Sequence, residues 1–262
     1  MFLEIISKKQ PQVTNKPSIL FIHGACMGAW VWEGNFMEYF FEKGHSVFAI
    51  NLSNHGKSEG ERSLRWTSIK HYVRNLGNAV DSIDGPVFLV GHSMGGFTIQ
   101  HYLQSPAKNV VGAALLCSAP SHGLWHLMGK LVLHYPFYFV QSILQMSWLP
   151  VMRNKERLQR VMFREDFPPQ KMSEVISLLQ DESFLVFLEM GFFKLPKVKQ
   201  LPVPVIIIGA ENDYLISVAD TTRMALRYGL PSHIIEGASH CLMLETGWDA
   251  VAEDIRKFAD PH

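Results

Sequence analysis

Short apolar runs alternate with segments of helical periodicity along most of the chain. The apolar runs predict strands at 18–24, 46–52, 86–92, 110–118, 202–210 and 232–237. These runs are nearly continuous rather than alternating, which is typical of strands covered on both faces of a parallel sheet. Helical patterns lie near 32–43, 67–82, 96–104, 218–229 and 246–259. The alternation predicts an α/β fold with a mostly parallel sheet flanked by helices.

The interval 119–196 breaks this rhythm. It has no convincing strand and is rich in Leu, Met, Phe, Trp and His, with several prolines. It predicts a helical cap over a core formed by 1–118 and 197–262. A pair of ordinary crossover helices is the alternative, but the interval is far longer than a crossover needs.

One part of this interval, "LVLHYPFYFVQSILQMSWLPVM" between Lys130 and Arg153, has no formal charge. Its length matches a bilayer span, but histidine, glutamine and proline residues interrupt it. The pattern favours a buried or surface-docking amphipathic helix. Contact of the cap with a membrane surface stays open.

Composition removes other function classes. Lys and Arg total 24, as do Asp and Glu, so the net charge of zero gives no electrostatic footprint for nucleic acid. Three cysteines, Cys26, Cys117 and Cys241, give no disulfide framework and fit a reducing compartment. The first ten residues predict a strand rather than a signal-peptide core. A cytoplasmic location is expected.

The candidate chemistry begins in "VFLVGHSMGGF", which predicts a strand, a tight turn and a helix. Ser93 stands between Gly91 and Gly95 in G-x-S-x-G spacing. A nucleophile elbow holds its serine in such a strained turn, where neighbouring residues must be small. A glycine-rich turn with a passive serine is the alternative interpretation.

A serine nucleophile needs a base, and the base needs an orienting acid. His240 in "EGASHCLMLE" follows the last predicted strand, and Asp213 in "VIIIGAENDYLIS" follows the preceding one. Glu211 is the second candidate acid. Structural interpretations remain for both residues: a helix N-cap for Asp213 and a surface position for His240.

Negative charge that develops in the transition state needs hydrogen-bond donors. "FIHGACMGAW" ends a predicted strand at His23 and Gly24. The backbone N–H of Ala25, paired with that of Met94, is predicted to form an oxyanion hole. A plain glycine turn is the alternative.

These motifs occur in the order and spacing of a known superfamily. Over nearly its whole length the chain resembles the α/β-hydrolase fold superfamily, through "HGACMGAW", "NLSNHGKS", "GHSMGG", "GAENDYLIS" and "GASHCLMLE". The first motif resembles the methylesterase and hydroxynitrile-lyase branch, and the long cap resembles monoacylglycerol-lipase-like enzymes and bacterial esterases. Asn51 and Asn54 depart from the Asp and Gly of many relatives, which puts the substrate contacts of this loop in doubt.

The resemblance narrows the reaction. Dehalogenases and epoxide hydrolases of this fold use aspartate where Ser93 stands, and the lyases carry lysine where Cys241 stands. Hydrolysis of a carboxylic ester or thioester through an acyl-enzyme is therefore expected. A ligand receptor or vestigial enzyme, and an amide or C–C bond hydrolase, are the alternatives.

No metal or organic cofactor is implied. His122 and His126 are four residues apart and would share a helix face. They lack the H-E-x-x-H pattern of zinc enzymes, so packing or a surface position is expected for both.

The cap suggests the substrate. Its aromatic and methionine content predicts an apolar acyl pocket for a small-molecule ester, with His23, Phe139 and Leu144 as candidate pocket residues. The competing interpretation is that this surface docks on a membrane or on a second subunit. Monomer and homodimer both stay open.

Overall fold

A computed structural model describes residues 2–12, 14–105, 109–197 and 200–260. One seven-stranded sheet forms its centre. The strands are β1 Ile5–Lys8, β2 Ser18–Ile22, β3 Val47–Ile50, β4 Val87–His92, β5 Val110–Leu116, β6 Val205–Ala210 and β7 Ser232–Ile235.

The strand order is β1-β3-β2-β4-β5-β6-β7. Only the edge strand β1 runs antiparallel to its neighbour, and the other pairs are parallel. Every residue of β3 and β4 is buried, as continuous apolar runs require when helices cover both faces. The predicted mostly parallel sheet is confirmed, including the strand in the first ten residues.

In the part of the chain that the structure describes, five helices flank the sheet. They are α1 Phe36–Glu42, α2 Ile69–Asp81, α3 Met94–Tyr102, α10 Val218–Tyr228 and α11 Trp248–Ala259. All five match the helical patterns of the sequence. The first begins later than predicted because Ala29–Trp32 forms a separate 3-10 turn before it.

The interval between β5 and β6 contains helices and, in its described residues, no strand. The helices are α4 Trp125–His134, α5 Pro136–Gln145, α6 Leu149–Met152, α7 Lys155–Met162, α8 Pro169–Leu178 and α9 Phe184–Leu188. A π-helical turn, Glu189–Phe193, continues α9. We call residues 119–196 the cap, although their status as a separate domain stays a prediction.

The uncharged run folds into α4, α5 and α6 rather than into one helix. Pro136 begins α5, where its missing N–H is not needed, and Met146 ends it with a left-handed φ of 50°. Among the described residues, no helix has both the length and the apolar character to cross a membrane. Contact of the cap with a membrane surface stays a prediction.

The two departures in the loop after β3 have structural reasons. Asn51 is 5% exposed; its Oδ1 accepts from the Ala29 N–H at 2.8 Å, and its Nδ2 donates to Glu4 at 2.8 Å. Asn54 has a φ of 67°, and asparagine adopts this left-handed region more readily than most residues. Asn51 therefore ties this loop to neighbouring chain segments.

We expect Asn51→Asp to lower the free energy of unfolding by about 1–3 kcal/mol. The new carboxylate cannot donate to Glu4 and places two like charges side by side. Asn78→Asp, the same chemical change at an exposed position of α2, should change it by less than about 0.5 kcal/mol. Urea unfolding at neutral pH measures both. Equal effects would contradict the assigned role of Asn51.

Candidate active site

Ser93 occupies the turn between β4 and α3. Its φ of 52° and ψ of −114° lie outside the ordinary regions for an L-residue. A Cβ on Gly95 would clash with the Ile22 carbonyl oxygen, and one on Gly91 would lie 2.7 Å from the Gly95 carbonyl oxygen. Glycine at these two positions is what lets the turn close around Ser93.

His240 and Asp213 form a buried pair. The Nδ1 atom of His240 lies 2.8 Å from Asp213 Oδ2, and both side chains are at most 1% exposed. Asp213 Oδ1 accepts the backbone N–H groups of Leu215 and Ile216 at 2.8 and 2.9 Å. These bonds fix the carboxylate, which holds the proton of neutral His240 on Nδ1 and leaves Nε2 as the acceptor.

The sheet topology explains why His240 and Asp213 are in contact. Asp213 lies in the loop after β6, and His240 lies in the loop after the adjacent parallel strand β7. The carboxyl ends of parallel neighbours lie at the same edge of a sheet. Glu211 instead accepts the Gly237 N–H at 2.8 Å and is exposed. The structure therefore brings Asp213, and not Glu211, to His240.

The predicted oxyanion donors are the backbone N–H groups of Ala25 and Met94. Met94 is the first residue of α3, so its N–H has no acceptor within the helix. Ala25 follows β2 and lines the same cavity as Ser93. Within the described chain, the Ala25 N–H makes no backbone hydrogen bond. Their role as an oxyanion hole stays a prediction.

Ser93 and His240 open onto one cavity of about 70 Å³. Among the described residues Ser93 Oγ makes no hydrogen bond to His240, a contact that often tightens only when substrate is bound. The wall of the cavity opposite these two residues is almost entirely apolar. The site thus combines a hydroxyl, an imidazole and an apolar chamber.

Most of the apolar wall comes from the cap. Leu127 and Leu131, one turn apart on α4, present the same face to the cavity. The other cap residues on the wall are Ala119, Leu124, Trp148, Met152, Val161, Met162, Phe187 and Met190. Sequence reasoning did not single out these residues, and their only signal was the i, i+4 spacing of the two leucines.

The candidate pocket residues chosen from the sequence do not line this cavity. Leu144 is 79% exposed because its side of α5 faces solvent. Phe139 is half-buried and packs behind the wall, with its ring 6.3 Å from that of Trp148. His23 is fully buried, and its Nε2 accepts the Leu52 N–H at 3.1 Å. The cavity at Ser93 is lined by α4 and other cap residues rather than by these three.

His92 is a site residue that the sequence reasoning missed, although it precedes Ser93 in the elbow. Its Nε2 lies 3.0 Å from the His240 carbonyl oxygen, and its ring lies 4.6 Å from that of His240. Burial, and then the nearby His240, lower the pKa of His92 well below its usual range. A neutral His92 therefore donates to the loop that holds His240.

The three cysteines are buried, and burial raises the pKa of each well above its usual range. They are thiols rather than reactive thiolates at neutral pH. Cys117 presents its sulfur within 4.8 Å of ligand atoms of Asp213 and His240. The hydrogen bond between the latter two suits an acid–base pair better than a metal centre.

His122 and His126 do not face each other across a metal position. They contact opposite oxygens of Asp220 on α10, at 3.3 and 3.1 Å. These contacts hold the start of α4 against the start of α10 and favour the packing interpretation.

Comparisons with known proteins identify the family of this chain. Residues 19–254 match the model of the alpha/beta hydrolase family. A pyrethroid hydrolase from Sphingobium wenxiniae is 23% identical over 92% of this chain and 87% of its own length. Methylesterase 4 from Arabidopsis thaliana is 35% identical, over only 31% of this chain and 32% of its own.

A solved structure shows the same fold. The monoacylglycerol lipase of Paleococcus ferrophilus superposes with a TM-score of 0.70 at 17% identity, covering 99% of this chain and 98% of that one. The family match spans the elbow, the loops of Asp213 and His240, and the cap. The chain therefore belongs to the alpha/beta hydrolase family.

Proposed function

We propose that this protein is a serine hydrolase that cleaves carboxylic esters of apolar acyl groups through an acyl-enzyme on Ser93. One observation carries the proposal: Ser93 and the Asp213-bonded His240 open together onto one apolar cavity. Among the relatives, the names pyrethroid hydrolase, methylesterase and monoacylglycerol lipase support ester chemistry.

In the first half-reaction, Ser93 Oγ attacks the acyl carbon while His240 Nε2 takes its proton. Asp213 stabilises the imidazolium and keeps its orientation. The carbonyl oxygen becomes an oxyanion, to which the Ala25 and Met94 N–H groups donate. The intermediate collapses, the C–O bond to the alcohol breaks, and His240 gives its proton to the leaving oxygen.

In the second half-reaction, water takes the place of the alcohol. His240 removes a proton from this water, and the resulting hydroxide attacks the acyl carbon. The same donors hold the second oxyanion. Collapse breaks the bond to Ser93 Oγ, which recovers its proton from His240 and releases the carboxylic acid. The cycle needs no group from outside the chain other than water.

The cavity limits the acyl group. Its volume is about 70 Å³. This is several times the volume that a single water needs, which is about 10–15 Å³ on the same measure. An apolar wall without charged groups disfavours sugar phosphates and other anions. We propose a short to medium apolar acyl group, on an oxygen ester or a thioester.

A ligand receptor with the same fold is the second candidate. The enclosed apolar cavity would suit a bound ligand as well as a substrate. The Asp213–His240 pair favours catalysis, because a receptor has no need of an oriented proton acceptor beside Ser93. Steady turnover of p-nitrophenyl esters, rather than a single labelling event, separates the two.

Ser93→Ala should abolish ester hydrolysis and leave the melting temperature nearly unchanged, because alanine is smaller than the half-buried serine it replaces. A fluorophosphonate probe should label the unchanged protein at Ser93 alone. Labelling or turnover that persists in Ser93→Ala would contradict the assignment of Ser93 as the nucleophile. Stoichiometric labelling without turnover would favour the receptor.

Asp213→Asn should lower kcat by about 10⁴, because His240 loses the charge that orients it and stabilises its protonated form. Glu211→Gln is the matched control, because Glu211 lies in the same loop and its side chain bonds only the Gly237 N–H among the described residues. It should keep kcat within about threefold, since an exposed hydrogen bond is worth little. Steady-state kinetics on one ester compares them, and a reversed order would refute the choice of acid.

Leu127→Ala should flatten the dependence of kcat/KM on acyl chain length. Each buried CH₂ contributes about 0.8 kcal/mol, so two added carbons should raise kcat/KM roughly tenfold until the pocket is full. Leu144→Ala, the same change on the exposed side of α5, should leave this slope intact. A p-nitrophenyl ester series from acetate upward measures both. A slope lost only in Leu144→Ala would place the acyl group elsewhere.

A further inference from the structure

The loop that carries Ala25 is held by the cap at two consecutive peptide units, one on each side of the Cys26 Cα. The Cys26 N–H donates to Glu182 Oε2 at 3.3 Å, and the Cys26 carbonyl accepts from the Gln180 N–H at 3.0 Å. Cys26 has a φ of 63°, so its backbone sits in the left-handed region without the freedom of glycine. The cap segment 180–182 therefore fixes a strained residue adjacent to Ala25.

Glu182 itself is held by Tyr72 and His55 of the core and by the N–H of the neighbouring Ser183. It is fully buried between α8 and α9, and its Oε1 accepts from Tyr72 Oη at 2.6 Å and from the Ser183 N–H at 2.7 Å. Its Oε2 lies 3.2 Å from Nε2 of His55, which is also fully buried. Oε1 thus has two donors, while Oε2 accepts the Cys26 N–H and lies beside the His55 ring.

The surroundings favour the charged form of both Glu182 and His55. Burial lowers the pKa of His55, but the adjacent Glu182 carboxylate more than offsets this and leaves that pKa raised. Burial likewise opposes the charged form of Glu182, yet His55 and the Tyr72 hydroxyl hold its pKa below the usual range. A buried ion pair adds little net stability compared with apolar residues of the same volume. Stability alone therefore does not explain this one.

We propose that Glu182 is a positioning residue, through which the cap sets the Ala25 N–H of the oxyanion hole. The proposal rests on the function proposed above. It makes the cap part of the catalytic machinery as well as a wall of the pocket: with the cap undocked or Glu182 neutralised, Cys26 relaxes and the Ala25 N–H no longer points at the oxyanion.

The test is Glu182→Gln. A carboxamide has one acceptor oxygen, so it cannot serve both the Cys26 side and the Tyr72–Ser183 side of the site. We expect kcat to fall at least tenfold, toward the 10²–10³ seen when an oxyanion donor is removed. KM should stay within about twofold, because the apolar wall is unchanged.

Glu189→Gln is the matched control. Glu189 is the other buried cap carboxylate that reaches the core, and it bonds Ser68 and the Ile69 N–H at the start of α2. Among the described residues, the Glu189 side chain makes no hydrogen bond to Cys26. This variant should keep kcat within about twofold. Equal losses in both variants would show that Glu182 acts only by docking the cap.

A second readout separates positioning from folding. An alkyl trifluoromethyl ketone forms a hemiketal with Ser93: the Oγ–C bond forms, the carbonyl oxygen becomes an oxyanion, and the Ser93 proton passes to His240. The matching trifluoromethyl carbinol fills the same pocket without an oxyanion. In Glu182→Gln the Ki of the ketone should rise by the factor lost in kcat/KM, and that of the carbinol should stay within about twofold. The proposal is overturned if the two Ki values stay unchanged or change by the same factor.

If Glu182→Gln does not fold, Tyr72→Phe provides the test, because it removes one hydrogen bond to Glu182 and keeps both charges. It should raise the Ki of the ketone two- to fivefold and leave that of the carbinol unchanged. If the Ki of the ketone does not rise selectively, the proposal is overturned. If the protein without any substitution shows neither turnover nor ketone binding, the proposed function is overturned, and this inference with it.

Discussion

The backbone conformation of Ser93 is the constraint on which the site depends. A residue held at φ 52° and ψ −114° costs of order 1–3 kcal/mol and persists only where its surroundings enforce it. Here β4 is buried between β2 and β5, and the Ser93 N–H is bonded to the Leu116 carbonyl at 2.9 Å. The sheet thus forces the turn, and the turn places a hydroxyl and the first N–H of α3 at one edge.

The other parts of the site reach this edge by different routes. Parallel pairing of β6 and β7 brings Asp213 and His240 together, so that pair follows from the sheet. The cap is a long insertion, and two of its contacts with the core are at the loops that carry Ala25 and His240. Met162 accepts the Cys241 N–H at 3.0 Å, and Gln180 and Glu182 hold Cys26. Both segments that flank Ser93 therefore depend on cap contacts.

The sequence was enough for the sheet, the flanking helices and the relative positions of Ser93, Asp213 and His240. Strand ends, chain order and glycine spacing are local signals, and parallel topology converts them into proximity. The pocket was different, because the cap is apolar on several faces and its pattern does not say which one turns inward: Leu127 faces the cavity while Leu144 faces solvent. The contact between His55 and Glu182 joins segments that are distant in the chain, and no periodicity in the sequence indicates it.

The covalent step is the centre of this account, and trapping it is the most direct test. A p-nitrophenyl ester is mixed with excess protein and quenched in acid within milliseconds to seconds, and the digest is mapped by mass spectrometry. The account predicts a transient acyl group on the peptide that contains Ser93, formed as p-nitrophenol is released and lost as the free acid appears. Sustained p-nitrophenol release with no acyl group on Ser93 at any time, or with an acyl group on a different residue, would contradict it.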